Sequence, residues 1–167
     1  MLDGLIIKPL KRFPDDRGYF TEILREDWKE LLNDQTISQA NLSITYPNIV
    51  RAWHKHERGQ IDYFIVAKGA LKICAYDDVT KELDEVVSTG ENIQIVKVPG
   101  HYWHGFKVVS PNTTILVYLV NNMYDPKNPD EQRRPWNDPT IIPESINGKT
   151  SDPRVGKPWD WMLLPNK

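Results

Sequence analysis

The stretch from Ile61 to Tyr76 reads Ile-Asp-Tyr-Phe-Ile-Val-Ala-Lys-Gly-Ala-Leu-Lys-Ile-Cys-Ala-Tyr and decides the fold. Two runs rich in β-branched and aromatic residues, Ile61–Val66 and Ala70–Tyr76, flank the turn residues Lys68-Gly69, a pattern typical of two short strands. Further runs of this kind, each bounded by Gly, Pro, Asn or Asp, are Leu83–Val87, Ile93–Val98, Gly105–Val109 and Thr113–Val120. Many short strands at regular spacing predict an all-β sandwich or barrel.

The segments on either side of these strands predict a short helix and an ordered tail. Arg25–Asn33 alone has apolar residues at helical spacing. Eight of the thirteen prolines lie at or after Pro126, together with three tryptophans, and such aromatics are poorly suited to disorder. We therefore expect one domain over residues 1–167, with residues 126–167 as an irregular Pro/Trp-rich tail packed on the barrel.

The composition argues against a membrane-spanning protein and against a general binder of nucleic acid. The 167 residues are 40% hydrophobic and 26% charged, and the net charge of -2 gives no general attraction to nucleic acid or to an anionic membrane. No apolar run approaches the ~20 residues that span a bilayer. Cys74 is the single cysteine, so an internal disulfide is impossible, and we expect it to be a small buried residue. We expect a cytoplasmic protein that binds neither nucleic acid nor membranes.

The four histidines fall into two groups. His54 and His56 continue a strand-like run, and because residues i and i+2 of a strand point to the same face, they project together. His101 and His104 follow the turn Pro99-Gly100. Imidazole transfers protons near neutral pH and is the commonest metal ligand. The two groups therefore predict two walls of one pocket.

Two kinds of chemistry fit this pocket. In the first, His54, His56, Asp62 and His104 form a three-histidine, one-carboxylate metal site for Fe, Mn, Zn or Ni, a pattern that resembles the cupin superfamily. The usual carboxylate position of that pattern is Gln60 here, and Asp62 lies two residues further on, with the strand parity to face inward. In the second, the same histidines act as acid and base groups without a cofactor.

Six segments, in order along the chain, resemble one family. They are Asp16–Glu22 (Asp-Arg-Gly-Tyr-Phe-Thr-Glu), Gln39–Ser43, Arg51–His54, Pro99–Phe106, Tyr124–Pro126 and Trp136–Pro139. This is similar to the dTDP-4-dehydrorhamnose 3,5-epimerase family, metal-independent cupins that act on nucleotide sugars. The resemblance implies a jelly-roll barrel, no cofactor, and epimerisation of a dTDP-linked 4-keto-6-deoxy sugar, as in rhamnose and other carbohydrate biosynthesis.

The resemblance also implies roles for single residues. His54 is the base that removes a proton beside the ketone, and Asp152 is the carboxylate that orients it. Tyr124 is the acid that returns a proton on the opposite face, since a phenol with a pKa near 10 is protonated at neutral pH.

Substrate binding is implied at six further positions. Arginine suits the nucleotide diphosphate, and other polar and aromatic side chains contact base and sugar. The residues are Arg17, Phe20, Glu22, Gln39, Asn41 and Arg51. Arg51 has the opposite strand parity to His54, so the resemblance requires a bulge or a strand end between them. In this family the first segment reaches into a partner subunit, which implies a homodimer.

The chain departs from the family beside the base. Asp62 stands where the family has a lysine, and His56 stands where it has a glutamine. His56, Asp62 and His104 are therefore expected at the substrate site, where Asp62 either keeps His56 protonated or completes a metal site. The alternatives are a single-centre epimerase, a nucleotide-sugar 3,4-ketoisomerase, a metal-dependent cupin enzyme and a non-catalytic sugar-binding cupin.

Overall fold

A computed structural model describes residues 1–163 and contains two facing β-sheets. The first sheet has the strand order β1-β9-β6-β11-β4 and the second the order β12-β5-β10-β7-β8-β13. The first comprises β1 (Ile6–Pro9), β4 (Gln39–Thr45), β6 (Ile61–Lys68), β9 (Gln94–Pro99) and β11 (Thr114–Val120). The second comprises β5 (Val50–Lys55), β7 (Ala70–Tyr76), β8 (Glu82–Thr89), β10 (Trp103–Val108), β12 (Gln132–Arg133) and β13 (Ser145–Ile146). This pair of sheets confirms the predicted jelly roll.

The core between the sheets follows from strand alternation. Leu71, Ile73 and Ala75 of β7 face the first sheet and are buried against residues such as Phe64 and Val96. The predicted Ala70–Tyr76 strand is confirmed at both ends, and the other predicted strands agree within two residues.

The tail covers the opposite face of the second sheet. Cys74 and Tyr76 of β7 point to this face, together with Trp53 of β5, and all three are fully buried. The residues of the tail that pack on them include Ile141, Ile146, Trp159 and Trp161. The tail therefore packs on this face of the second sheet, and residues 164–167 lie outside the described part of the chain.

The helix is shorter than the predicted Arg25–Asn33. It spans Lys29–Leu32 as α1 and buries Leu31 and Leu32 on the outer face of the first sheet. Asn33 and Asp34 both adopt left-handed backbone angles, with φ of 47° and 61°, and end the helix. No helix in residues 1–163 is long and apolar enough to cross a membrane.

A two-stranded hairpin stands apart from both sheets. Its strands are β2 (Arg12–Asp15) and β3 (Gly18–Thr21). Phe13 and Phe20 pair across it with ring centroids 6.1 Å apart, and both remain substantially exposed. The hairpin therefore presents aromatic side chains that this subunit does not bury.

Candidate active site

An open pocket of about 1030 Å³ lies between the sheets. Its walls come from the inward faces of β4, β5, β6, β10 and β11, and residues 121–136 form its rim. Eight residues predicted from the sequence line it: Gln39, Asn41, Arg51, His54, His56, Asp62, His104 and Tyr124. The fold thus brings together three of the four histidines and most of the predicted binding residues, whereas His101 is exposed outside the pocket.

A bulge in β5 explains how Arg51 and His54 share the pocket. His104 pairs with His54, but the next residue, Gly105, pairs with Ala52, so Trp53 is an extra residue on β5. A side chain at Gly105 would collide with Ala52 and with the carbonyl of Arg51, so glycine permits this close approach. The bulge that strand parity predicted between Arg51 and His54 is therefore present.

Four predicted residues lie outside this subunit's pocket. Arg17, Phe20 and Glu22 belong to the hairpin or follow it, and the Arg17 side chain is 84% exposed beside Asp15. Glu22 pairs with Arg25, with 2.7 Å between Oε1 and Nη1. The fourth residue is Asp152.

The structure corrects the role predicted for Asp152. Its carboxylate accepts hydrogen bonds from the Nε and Nη2 atoms of Arg154, each 2.9 Å long. Arg154 also donates to Glu85, on the face of the second sheet that the tail covers. Because His54 points to the other face of this sheet, Asp152 cannot orient it.

Glu131 is the carboxylate that faces His54 instead. Its Oε1 lies 3.7 Å from His54 Nε2, and its Oε2 accepts a 2.7 Å hydrogen bond from Arg133. The short strand β12 pairs with Lys55 and His54 of β5 and so brings Glu131 to the pocket. No sequence motif indicated Glu131, because only this pairing places residues 131–134 beside β5.

Burial determines the charge of His54. Desolvation lowers the pKa of His54 to about 4, and the nearby Glu131 carboxylate only partly opposes this. The ring is therefore neutral at physiological pH and carries a lone pair that can accept a proton.

His56, Asp62 and His104 form a separate buried cluster at the base of the pocket. Asp62 Oδ2 lies 3.1 Å from His104 Nε2 and 3.6 Å from His56 Nε2. Burial lowers the pKa of His104, but the hydrogen bond and charge of Asp62 outweigh burial and raise it. The inward parity of Asp62, read from the strand pattern, is confirmed by its place in this cluster.

Four arginines line the pocket, and three of them were not singled out from the sequence. Arg58, Arg133 and Arg134 join the predicted Arg51. Arg134 is paired with Asp78 at 2.7 Å, and Arg133 is held by Glu131. In the described chain Arg51 has no carboxylate partner, and its Nε donates to Thr45 Oγ1. No lysine is among the lining residues of this pocket in residues 1–163.

Trp136 also belongs to the pocket rim. It is 45% exposed and lines the pocket, whereas Trp159 and Trp161 are buried in the tail. The three tryptophans therefore have different surroundings, although all three were predicted to belong to the packed tail.

The fold and the pocket together define a class of protein. It is a jelly roll whose pocket is lined by histidines and arginines and is open to a small anionic molecule. A sequence model of one family, described as dTDP-4-dehydrorhamnose 3,5-epimerase, matches residues 1–152. The chain therefore belongs to the dTDP-4-dehydrorhamnose 3,5-epimerase family, a family of isomerases.

Individual relatives agree with this assignment. A probable low-salt glycan biosynthesis epimerase of Haloferax volcanii is 39% identical over 78% of this chain and 85% of its own length. A spore coat polysaccharide biosynthesis protein of Bacillus subtilis is 35% identical over 84% of this chain and 94% of its own. Among solved structures, a 3,5-epimerase of Legionella pneumophila in complex with dTDP-4-keto-L-rhamnose has a TM-score of 0.75 at 25% identity, covering 84% of this chain and 78% of that one.

Proposed function

We propose that this protein epimerises a dTDP-linked 4-keto-6-deoxy sugar by moving protons at the carbons next to the ketone. One observation carries the proposal: in a chain of this family, His54 projects as a neutral imidazole into a pocket large enough for a nucleotide sugar. A ketone makes the neighbouring C–H bonds acidic, so a base of this kind can form the enolate.

His54 and Tyr124 divide the proton transfers in this proposal. His54 takes the proton, and the imidazolium that forms lies beside the Glu131 carboxylate, which stabilises its charge. Tyr124 stands on the rim, where its backbone N–H donates a 2.9 Å hydrogen bond to Gln39 Oε1. Its phenol carries an O–H that can donate a proton to the opposite face of the enolate.

The substrate's diphosphate is assigned to the arginine side of the pocket. Arg51 has no carboxylate partner in residues 1–163 and presents its guanidinium beside the inward face of β4. Gln39 and Asn41 project from that face and hydrogen bond to each other over 2.7 Å, Gln39 donating. They offer amide groups to the sugar or the base.

A homodimer completes the site in this proposal. The exposed hairpin carries Arg17 and Phe20 away from its own pocket, and Glu22 follows directly. The outward face of β4 adds exposed apolar residues, Leu42 and Ile44. Exposed aromatic and apolar surface of this kind is typical of a contact with another chain. We propose that the hairpin of one subunit delivers Arg17, Phe20 and Glu22 to the pocket of its partner.

Mixing two inactive variants tests this arrangement. His54→Asn lacks the base and Arg17→Ala lacks the hairpin cation, so each homodimer should have low activity. In a mixed dimer one pocket receives both wild-type groups, and random mixing should restore about one quarter of the wild-type activity. No recovery from a proven mixed dimer would contradict delivery across the interface.

Solvent isotope exchange tests the function. With dTDP-4-keto-6-deoxyglucose in deuterated water, the wild-type protein should place deuterium at both C3 and C5, followed by NMR. Deuterium at only one carbon would indicate a single-centre epimerase, and a shifted ketone would indicate a 3,4-ketoisomerase. Nucleotide-sugar binding without any exchange would contradict the proposal and indicate a binding protein.

We also propose a cytoplasmic location. Cys74, the single cysteine, is fully buried as a free thiol, and a protein without disulfides suits a reducing compartment. Fractionation of cells that produce the protein would test this.

A further inference from the structure

We propose that His56, Asp62 and His104 bind one divalent transition-metal ion at the base of the pocket. These three side chains come from the end of β5, from β6 and from β10, and all three residues are buried. Each offers one ligand atom, and the three atoms lie within 4.8 Å of one another. The site excludes His54, whose Nε2 faces Glu131.

The separations of the ligand atoms suit a shared ion. Two ligands at ~2.1 Å from a tetrahedral ion are about 3.4 Å apart. Asp62 Oδ2 is 3.1 Å from His104 Nε2 and 3.6 Å from His56 Nε2, which brackets that value. The longer distance is beyond a hydrogen bond, so Asp62 contacts His104 directly but not His56.

The outer nitrogens of both imidazoles are held by backbone carbonyls. His104 Nδ1 donates to the carbonyl of Tyr102 over 2.9 Å, and His56 Nδ1 donates to the carbonyl of Asp130. Because Nδ1 of each ring donates to a carbonyl, Nε2 is the nitrogen that faces Asp62 and is available as a ligand atom. This arrangement, in which a ligand histidine donates its other N–H to a carbonyl, is usual around protein-bound metals.

Asp62 supplies an independent observation. Its side chain is 4% exposed, and among the described residues the groups that face Oδ2 are the two imidazole nitrogens. Gln60 donates to the other oxygen, Oδ1, through a 3.2 Å hydrogen bond from Nε2. A cation between the three side chains would compensate the charge of this buried carboxylate.

The donor set selects the class of ion. Two imidazoles and one carboxylate suit Zn²⁺, Mn²⁺, Fe²⁺ or Co²⁺, whereas Ca²⁺ and Mg²⁺ prefer oxygen ligands. Gln60 Nε2 lies 3.1 Å from His56 Nε2, so its amide must turn away when the ion binds. His56, Asp62 and His104 would hold the ion beside the pocket, where it could supply Lewis-acid chemistry to a bound substrate.

The role of the ion rests on the proposed function. An enolate needs a positive partner at its oxygen, and no lysine lines the pocket in the described part of the chain. A metal ion bound beside His54 would polarise the ketone oxygen as a Lewis acid and stabilise the enolate.

Metal titration of tag-free, chelator-treated protein tests the site. We expect one equivalent of Co²⁺ to bind and to produce visible absorption bands, and Zn²⁺ to displace it and raise the melting temperature. His56→Ala and Asp62→Asn should each weaken Zn²⁺ binding by more than ~100-fold, beyond the cost of an outer-shell change. His101→Ala, which alters an exposed histidine outside the pocket, should bind as the wild type does.

The outcomes separate the site from the proposed function. A folded wild type that takes up no equivalent of Co²⁺ or Zn²⁺ would overturn the site, as would binding that persists in both ligand variants. If either variant fails to fold by circular dichroism, His104→Gln replaces it with the same expectation. Stoichiometric metal binding without isotope exchange would support the site and contradict the epimerase proposal.

Discussion

At the residue scale, the partners of each histidine distinguish the roles that the sequence left open. His54 is a neutral ring beside Glu131 on the wall of the pocket. His56 and His104 instead share Asp62 and donate their other nitrogens to backbone carbonyls. The proposed base and the proposed metal site therefore use different histidines, and the two proposals do not compete for the same groups.

Tyr124→Phe separates the two proton transfers. The variant keeps the aromatic ring but loses the phenol that returns the proton, so epimer formation should fall by about 10²–10⁴-fold. Exchange at the carbon facing His54 should persist, because the base is intact. NMR in deuterated water measures both quantities, and unchanged epimer formation would remove Tyr124 from the mechanism.

The sequence was informative where residue type and strand parity suffice. Strand parity alone predicted that His54 and His56 project together, that Asp62 faces inward and that the strand is irregular before His54. It could not find Glu131, because its contact with His54 depends on β12 joining the edge of β5 far along the chain. Asp152 was misassigned for the related reason that no local pattern shows which face of a sheet a tail covers.

At the element scale, β7 was predicted to the residue because both of its faces are buried. Its apolar run ends where the turns at Gly69 and Asp77 begin. The helix was overestimated mainly at its start, because Trp28 is at helical spacing but has a non-helical backbone and precedes the first helical residue, Lys29; the left-handed backbone of Asn33 ends it. Local backbone geometry at a helix end is not visible in the spacing of apolar residues.

The tail stabilises the second sheet through Trp161. This side chain is fully buried, and its ring centroid lies 4.8 Å from that of Trp53. Trp161→Ala should reduce the free energy of unfolding by about 3–5 kcal/mol. The matched change Trp136→Ala, at the half-exposed pocket rim, should cost far less. Urea unfolding measures both, and equal costs would contradict a tail anchored by Trp161.

The Asp152–Arg154 pair makes the tail sensitive to acid. The Arg154 guanidinium holds the pKa of Asp152 below its ordinary value of 3.8. A lowered pKa in the folded state adds stability that is present above the unfolded value and is lost as the pH falls through the folded one. Asp152→Asn should therefore lower the melting temperature at neutral pH, and its difference from wild type should shrink below about pH 4. A difference independent of pH would contradict this.

For the molecule as a whole, the hairpin can contribute residues to a pocket only if two chains associate. The pocket is built from both sheets of one chain, whereas Arg17 and Phe20 are exposed on a hairpin outside it. Light scattering should therefore give the mass of a dimer. A monomer with full epimerase activity would contradict the proposed contribution of the hairpin.

Isotope exchange by two histidine variants tests directly whether His54 is the base. His54→Asn removes the proton acceptor, and His101→Asn alters an exposed histidine that does not line the pocket. With dTDP-4-keto-6-deoxyglucose in deuterated water, we expect His54→Asn to lose exchange at C3 and C5 by at least ~100-fold and His101→Asn to retain it. Exchange at the wild-type rate in folded His54→Asn would contradict the account.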